Sequence, residues 1–555
     1  MSIKPHGLEP IPEETRLLVQ RLCPKGTMVT QLHDVLGPIY SDEHFAHLYA
    51  KGGRPAEAPW RLALVTVLQA MEGLTDRQAA EAVRTRIDWL YALALPLDDP
   101  GFDYSILTDF RQRVLAGQAQ ELILEPILQV CRQRGWLKAR GKQRTDATAV
   151  LARVRALSSL ESVGESMRAA LNALAEQEPA WVQAHLTPDW FERYVHRFEL
   201  ARFPKAETQR QLLRKQVGTD VAQLLACIDA EATPQAVRSL PAVTLLRQVF
   251  AQHYEQQGQQ IRWRDGPAVS NEQRVVSPYD PEARSSRKRD TVWLGYKVHL
   301  TETCDQDPAC PHLITHVETT VATLQDAEML APIGEQLRAK DLAPAEHYVD
   351  QGYSSGAELL KQAQLGTQLI GPVGQDTSWQ QREQTGYAVG DFALDWHAQV
   401  ATCPQGHASV GWTQPQDRRG HPTVVIRFAT TTCLSCPVRA QCTRGQEGRT
   451  LTLTTPEVHA TLVQRRAEQR TPAFVQQYAL RAGVEGTISQ AVRTTRLRRT
   501  PYRGLPKTHL HHVAIAAGLN LKRIVGHLHA QSLGKPSRPA RPKSPFARLQ
   551  DKEAS

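Results

Sequence analysis

At 555 residues the chain is too long for one compact core, and its ordinary apolar and charged content suggests a globular protein of roughly two to four domains. No apolar run of about eighteen residues is present, which excludes a helical membrane span, and the N-terminal MSIKPHGLEPIPEE lacks the apolar core of a secretory signal, so a cytoplasmic protein is expected. The net charge of +9 is concentrated: Gly486 to Gln550 holds thirteen Lys and Arg and no Asp or Glu, which points to a polyanionic partner.

Residues 1–138 read as a helical N-terminal domain. In APWRLALVTVLQAMEGLTDRQAAEAVRTRIDWLYALAL the apolar residues recur every three or four positions. Gly73 ends one predicted helix and Thr75 caps the next, a pattern shared by helix-turn-helix units and plain bundles. A mixed α/β core is expected over 139–390. It opens with KARGKQRTDATAVLARV, a β-like run ending at Asp146, and is interrupted by a large helical insertion at about 155–275. It resumes with strands in TVWLGYKVHLTET and HLITHVETTVAT, a helix in DAEMLAPIGEQLRAK and a short strand in AEHYVDQGY. Residues 391–450 are β-rich. Residues 451–525 read as helical, with breaks at Gly483, Gly486 and Gly504. The segment 526–555 is rich in Pro, Ser and basic residues and is expected to be a disordered tail.

Nine cysteines in a cytoplasmic chain suggest reduced thiols or metal ligation. Cys433 and Cys436 have the two-residue gap that turns two thiolates toward one cation. Cys403 and Cys442 supply a third and fourth ligand, so a closed, structural, tetrahedral Zn²⁺ site is expected. His407 is an alternative to one thiolate. The intervening VGWTQPQDRRGHPTVVIRF has the pattern of a hairpin in a zinc-ribbon-like insertion. Cys304, Cys310 and His312 form a looser group that a Pro-containing hairpin turn explains.

Three carboxylates stand out. Asp146 and Asp350 each follow a β-like segment, and Ser355 with Glu358 caps the helix after Asp350, so that helix does not need Asp350 as its cap. Gly352 lets the chain turn just past it. Glu485 stands at the edge of the acid-free stretch. Together the three would form an all-oxygen site suited to Mg²⁺ or Mn²⁺. Two such ions clamp the attacking and leaving oxygens of a phosphoryl displacement.

The motifs GFDYSILTDFRQRV, TDATAVLARVRALSSLESVGESMRAAL, SPYDPEARSSRKRDTVWLGYKVHLTETCD, VDQGYSS, VEGTISQAVR and YRGLPKTHLHHVAIAAGLNLKR resemble those of bacterial insertion-sequence transposases of the DDE class. The resemblance spans about residues 30–525. It implies a ribonuclease-H-like α/β core, an N-terminal DNA-binding region, a zinc-ribbon insertion, and Asp146, Asp350 and Glu485 as the catalytic triad. A related signature places Tyr, Arg, Glu and Lys along one helix. Tyr478, Arg481 and Glu485 fall at its spacing, whereas Val492 stands where it has Lys, with Arg493 one residue later. Candidate DNA contacts are therefore Tyr478, Arg481, Arg493, Arg496, Arg498, Arg499, Arg503 and Lys507.

The expected function is cleavage of phosphodiester bonds at the ends of an insertion sequence, followed by joining of the 3′-hydroxyl ends to target DNA. The expected setting is a homodimer on double-stranded DNA in the bacterial nucleoid. The rival readings are a DNA-binding protein of transposase descent without catalysis and a metal-dependent nuclease without strand transfer. Mg²⁺-dependent cleavage and end joining separate the three.

Overall fold

The computed structural model describes residues 2–3, 9–258, 260–266, 268–417 and 420–533. Most of the expected tail, from 534 onward, lies outside these residues. The chain divides into two compact units. The first comprises Met1–Lys138, Ala147–Leu324 and Glu485–Ser555, and the second Ala139–Asp146 and Gln325–Val484.

In the first unit the N-terminal helices share a core with the C-terminal helix Leu505–Ser532. The stretch Val513–Leu521 of that helix is buried on all sides, as a sequence apolar but for Asn520 requires. It packs closely on the helix Pro59–Glu72 at Gly518, where a Cβ would lie 3.0 Å from Met71 Cβ. The predicted break at 73–75 is present: Gly73 is left-handed (φ 69°), and Thr75 accepts the Gln78 N–H to cap Asp76–Thr85. The C-terminal helix runs to Ser532, into the segment expected to be tail, because its apolar periodicity continues through Ile524, Val525 and His527.

Strand β1 (Lys142–Leu151) passes from the second unit into the first. In the first unit it lies beside β3 (Thr291–Thr303), which pairs antiparallel with both β2 (Arg284–Lys288) and β4 (Ile314–Val321). Cys304, Cys310 and His312 fall in and around the β3–β4 turn, as expected. Gly295 (φ 152°) is dictated by crowding: a Cβ there would meet the Val150 carbonyl oxygen at 2.1 Å. Asn520 of the C-terminal helix brackets Ile314, accepting its N–H (2.7 Å) and donating to its carbonyl (2.8 Å).

The insertion builds its own core around Trp190, Tyr194, Val221 and Leu246. It is not wholly helical. Tyr254–Gln257 and Gln260–Trp263 form an antiparallel hairpin, with the Tyr254 and Trp263 rings edge to face at 5.0 Å. Gly258 (φ 61°) supplies the turn, and burial of the two rings outweighs the helical propensity of the Gln-rich sequence.

In the second unit the first half of β1 pairs parallel with β5 (Glu346–Tyr348), which pairs parallel with β6 (Gln368–Ile370). The β-rich segment forms a ladder of Gly411–Thr413, Val424–Arg427 and Thr450–Leu453, so the predicted hairpin is present. A small pair, Ala393–Asp395 with Val400–Thr402, flanks Phe392, Ala401 and Ile426 in a local core.

A buried ion pair fixes the helix Gly483–Thr494. Glu302, next to a β-bulge in β3, is fully buried and accepts hydrogen bonds from Thr487 Oγ1 (2.6 Å) and Arg523 (2.7 Å). Arg523 also donates to Thr487 Oγ1, Gln490 Oε1 and the His312 carbonyl. These bonds hold Gly483–Thr494 to β3 and to the C-terminal helix. Gly486 lies inside that helix and does not break it, since no tertiary contact there opposes a continuous helix. Gly504 (φ 88°) does mark a boundary, at the start of Leu505–Ser532.

Candidate active site

Asp146 lies within β1 rather than at its end, because the alternating TAV that follows continues the strand to Leu151. Asp350 follows β5 by two residues, and Val349 N–H still reaches the Ile370 carbonyl (3.0 Å). Ser355 caps the next helix by accepting the Glu358 N–H (3.1 Å), so Asp350 is free of that task. Asp350 Oδ1 instead accepts the Gly352 N–H (2.8 Å). Gly352 leaves little room for a side chain. A Cβ there would stand 3.0 Å from Asp350 Oδ1 and 3.4 Å from Asp326 Oδ2.

Asp326 thus joins the two predicted aspartates, and the buried Tyr353 lies among all three. Burial, with the charges of Asp326, Asp146 and Asp350 adding, holds its phenol far above the ordinary value. Arg481 supplies the opposing charge, donating to Asp146 Oδ2 at 2.7 Å with both side chains mostly buried. Its backbone is set by Arg144, which lies beneath the turn and donates to the Leu480 carbonyl (2.6 Å). Gly483 leaves room for the Arg144 guanidinium, one nitrogen of which would sit 2.0 Å from a Cβ there. Sequence reasoning missed Asp326 and Tyr353. Tyr353 stands inside VDQGYSS, but Asp326 reads locally as the first acidic residue of a helix.

Tyr478, Arg481 and Glu485 do not share one helix. Tyr478 ends Pro472–Tyr478 and stacks on Phe474, Arg481 lies in the 3₁₀ turn Ala479–Ala482, and Glu485 opens Gly483–Thr494. Tyr478 and Arg481 belong to the second unit with Asp146 and Asp350. Glu485 belongs to the first and is exposed. The remaining basic candidates, Arg493, Arg496, Arg498, Arg499, Arg503 and Lys507, are all exposed in the first unit. Arg498 is tied to Thr148 Oγ1 (2.8 Å), and the Arg503 guanidinium lies 5.6 Å from the Tyr279 ring.

Cys403, Cys433, Cys436 and Cys442 line one small cavity of about 30 Å³, with His407 at its edge. Cys403 Sγ accepts the His407 N–H and Cys433 Sγ the Arg449 N–H, each at 3.4 Å. Burial, then the neighbouring thiols, pushes the Cys442 thiol up against the opposing pull of Arg449. Backbone N–H groups aimed at sulfur suit thiolates, so the donor chemistry fits a soft cation. The carboxylate oxygens of Asp146, Asp326 and Asp350 suit a hard one. Among the described residues, no group of three or more His, Cys, Asp or Glu side chains is closed to metal-holding geometry.

Asp146 in β1 and Asp350 just past its parallel neighbour β5 thus stand in a mixed α/β fold that also carries exposed basic residues. Residues 402–525 match the family model described as Transposase DDE domain, and residues 18–113 match the one described as Transposase domain (DUF772). No curated protein matches the chain. The chain is a DDE-type transposase, a DNA-binding enzyme that cleaves phosphodiester bonds and transfers strands with divalent metal, and the matched domain implies a ribonuclease-H-like fold. The DDE match includes Glu485 and the four cysteines but stops short of Asp146 and Asp350. Among the described residues no helix is long and apolar enough to cross a membrane.

Proposed function

We propose that Asp146, Asp350 and Glu485 are the catalytic carboxylates of this transposase and that they hold Mg²⁺ or Mn²⁺. The observation that carries this is that Asp146, within β1, and Asp350, two residues past the parallel neighbour β5, both act on one buried tyrosine, with the Arg481 guanidinium set against Asp146. When bound, two divalent ions stabilise the attacking and leaving oxygens of an in-line displacement. Asp146 is held within β1 and Asp350 just past β5, both interior strands of the sheet, and the buried Tyr353 lies within reach of their charges. Arg481 offsets the mutual repulsion of the aspartates while the site is free of cation. The clamped helix carries the third carboxylate.

The substrate is double-stranded DNA at the ends of an insertion sequence, and the freed 3′-hydroxyl is the nucleophile toward target DNA. Tyr478, Arg481, Arg493, Arg496, Arg498, Arg499, Arg503 and Lys507 supply phosphate contacts, and a homodimer pairs the two ends in the bacterial nucleoid. Cys403, Cys433, Cys436 and Cys442 hold one structural Zn²⁺ in a zinc-ribbon-like insertion, a reading supported by their shared cavity and the two N–H···S bonds.

The test uses DNA flanking the gene as substrate. Asp350→Asn abolishes Mg²⁺-dependent cleavage while leaving DNA binding largely intact. Normal cleavage by that variant sinks the assignment.

A further inference from the structure

A cavity of about 220 Å³ opens on the first unit and lies wholly within that unit. Its walls are the turn Gly73–Asp76, Arg111 from the helix Ser105–Ala116, Arg153 just past β1, the loop around Arg496 and Tyr502, and His511 of the C-terminal helix. Its charges are unequal. Asp76, the one acid in the wall, is occupied by Arg111, which also bonds Gln69 and Thr108. Arg153 and Arg496 are exposed and have no acidic partner among the described residues. Arg153 is oriented by a hydrogen bond to the Pro501 carbonyl (2.9 Å).

The remaining wall group is His511. Its Nε2 is shielded from solvent and has no hydrogen-bond partner among the described residues. A buried imidazole nitrogen without a partner costs free energy that a ligand atom can recover. Burial, with the charges of Arg111 and Arg496 adding, lowers this imidazole to about 4, so it is neutral at physiological pH and sits in positive potential. A mixed apolar and cationic hollow with one neutral ring nitrogen suits a singly charged, partly apolar anion. A DNA phosphodiester with its sugar has that character.

We propose that this cavity seats one backbone phosphate of duplex DNA, held jointly by Arg153 and Arg496 and reached by His511 Nε2. The seat rests on the reading that the chain binds duplex DNA. It fixes the register of that duplex against the turn at Gly73–Asp76.

The experiment measures binding of a fluorescein-labelled duplex of arbitrary sequence to the full chain by anisotropy, between about 50 and 200 mM salt. Arg153→Ala and Arg496→Ala each weaken binding by roughly fivefold to tenfold and lower the magnitude of the log–log salt slope by about one. The double variant lowers the slope by no more than either single one, because both arginines share one phosphate. His511→Leu weakens binding with the slope unchanged, since a neutral imidazole releases no counterion. A slope loss of about two in the double variant shows two independent surface contacts and overturns the shared seat. So does unchanged binding in both single variants. Both arginines are exposed, so folding is not at stake, and equal thermal midpoints check this. Failure of the unsubstituted protein to bind the duplex overturns the DNA reading itself and the seat with it.

Discussion

Removal of Arg523 loosens the helix that carries Glu485. The Arg523 guanidinium pairs with Glu302, whose side chain is 0% exposed, while its own is 16% exposed. Taking away one partner of a buried pair leaves an uncompensated charge, at a cost of about 3–5 kcal/mol. The partial exposure of Arg523 puts the expected value at the lower end, about 3 kcal/mol. The same substitution unsatisfies Gln490, and Thr487 keeps its bond to Glu302 but loses its bond from Arg523. Global unfolding of a chain with two compact units need not be two-state, so the informative quantity is local opening. Hydrogen exchange of peptides covering Gly483–Thr494 reports it. A loss of about 3 kcal/mol is roughly a 150-fold rise in the open population, so Arg523→Ala lowers protection there by about two orders of magnitude. Thr487→Val removes two hydrogen bonds but keeps the ion pair, and costs about 1–2 kcal/mol, roughly fivefold to thirtyfold in protection. The paired change Glu302→Leu with Arg523→Met removes both charges and restores most of the protection. Protection within about threefold of the unsubstituted protein in Arg523→Ala refutes the clamp.

Three further outcomes follow from the second unit. His347 accepts or donates a hydrogen bond with Thr145 (2.7 Å), and burial lowers its imidazole to about 4, below the unfolded value of about 6.5. Between those values the unfolded chain takes up a proton that the folded one refuses. Stability present above pH 6.5 is therefore lost toward pH 4, at about 1.4 kcal/mol per pH unit. In urea unfolding, His347→Gln flattens this slope by about one proton, and an identical slope refutes the assignment. For the cysteines, elemental analysis of purified protein finds about one zinc per chain, and Cys436→Ser loses it together with protection of the Gly411–Leu453 ladder. A zinc-free protein with four freely titrating thiols removes the proposal. Arg481→Ala removes the cation bound to Asp146, so Mg²⁺ raises the thermal midpoint of the variant more than that of the unsubstituted protein. Equal Mg²⁺ responses show that Arg481 and the metal do not compete.

Local chemistry was legible in the sequence wherever a few neighbouring residues decide the outcome. The cap at Thr75, the pair Ser355 with Glu358, and the hairpins at 291–321 and 411–427 are such cases. Asp350 was legible because the helix after it already had a cap, which left its carboxylate unexplained. Asp326 was not, since an acid in the first turn of a helix has an ordinary local reason. Its proximity to Asp350 appears only in the fold, where both carboxylates approach Gly352. The hairpin at 254–263 was hidden for a related reason: the packing of Tyr254 and Trp263 is settled by the helices around them, not by the glutamines between them.

The acid-free stretch after Glu485 shows the same limit in its charges. Read as a sequence, its Lys and Arg residues look equivalent, a single surface for phosphates. In the fold they divide. Arg523 is spent on Glu302, 221 residues away, and Lys522 donates to the Met71 carbonyl at 3.0 Å, so these two hold the C-terminal helix in place. Arg493 to Lys507 face outward. The lack of acids therefore has two separate causes. On the outer residues a carboxylate would repel DNA. Along the inner face of the C-terminal helix it would stand beside Glu302, where one buried negative charge already takes a whole guanidinium to balance. Counting the charges thus overstates the exposed basic surface, which among the described residues of this stretch is centred on Arg493 to Lys507.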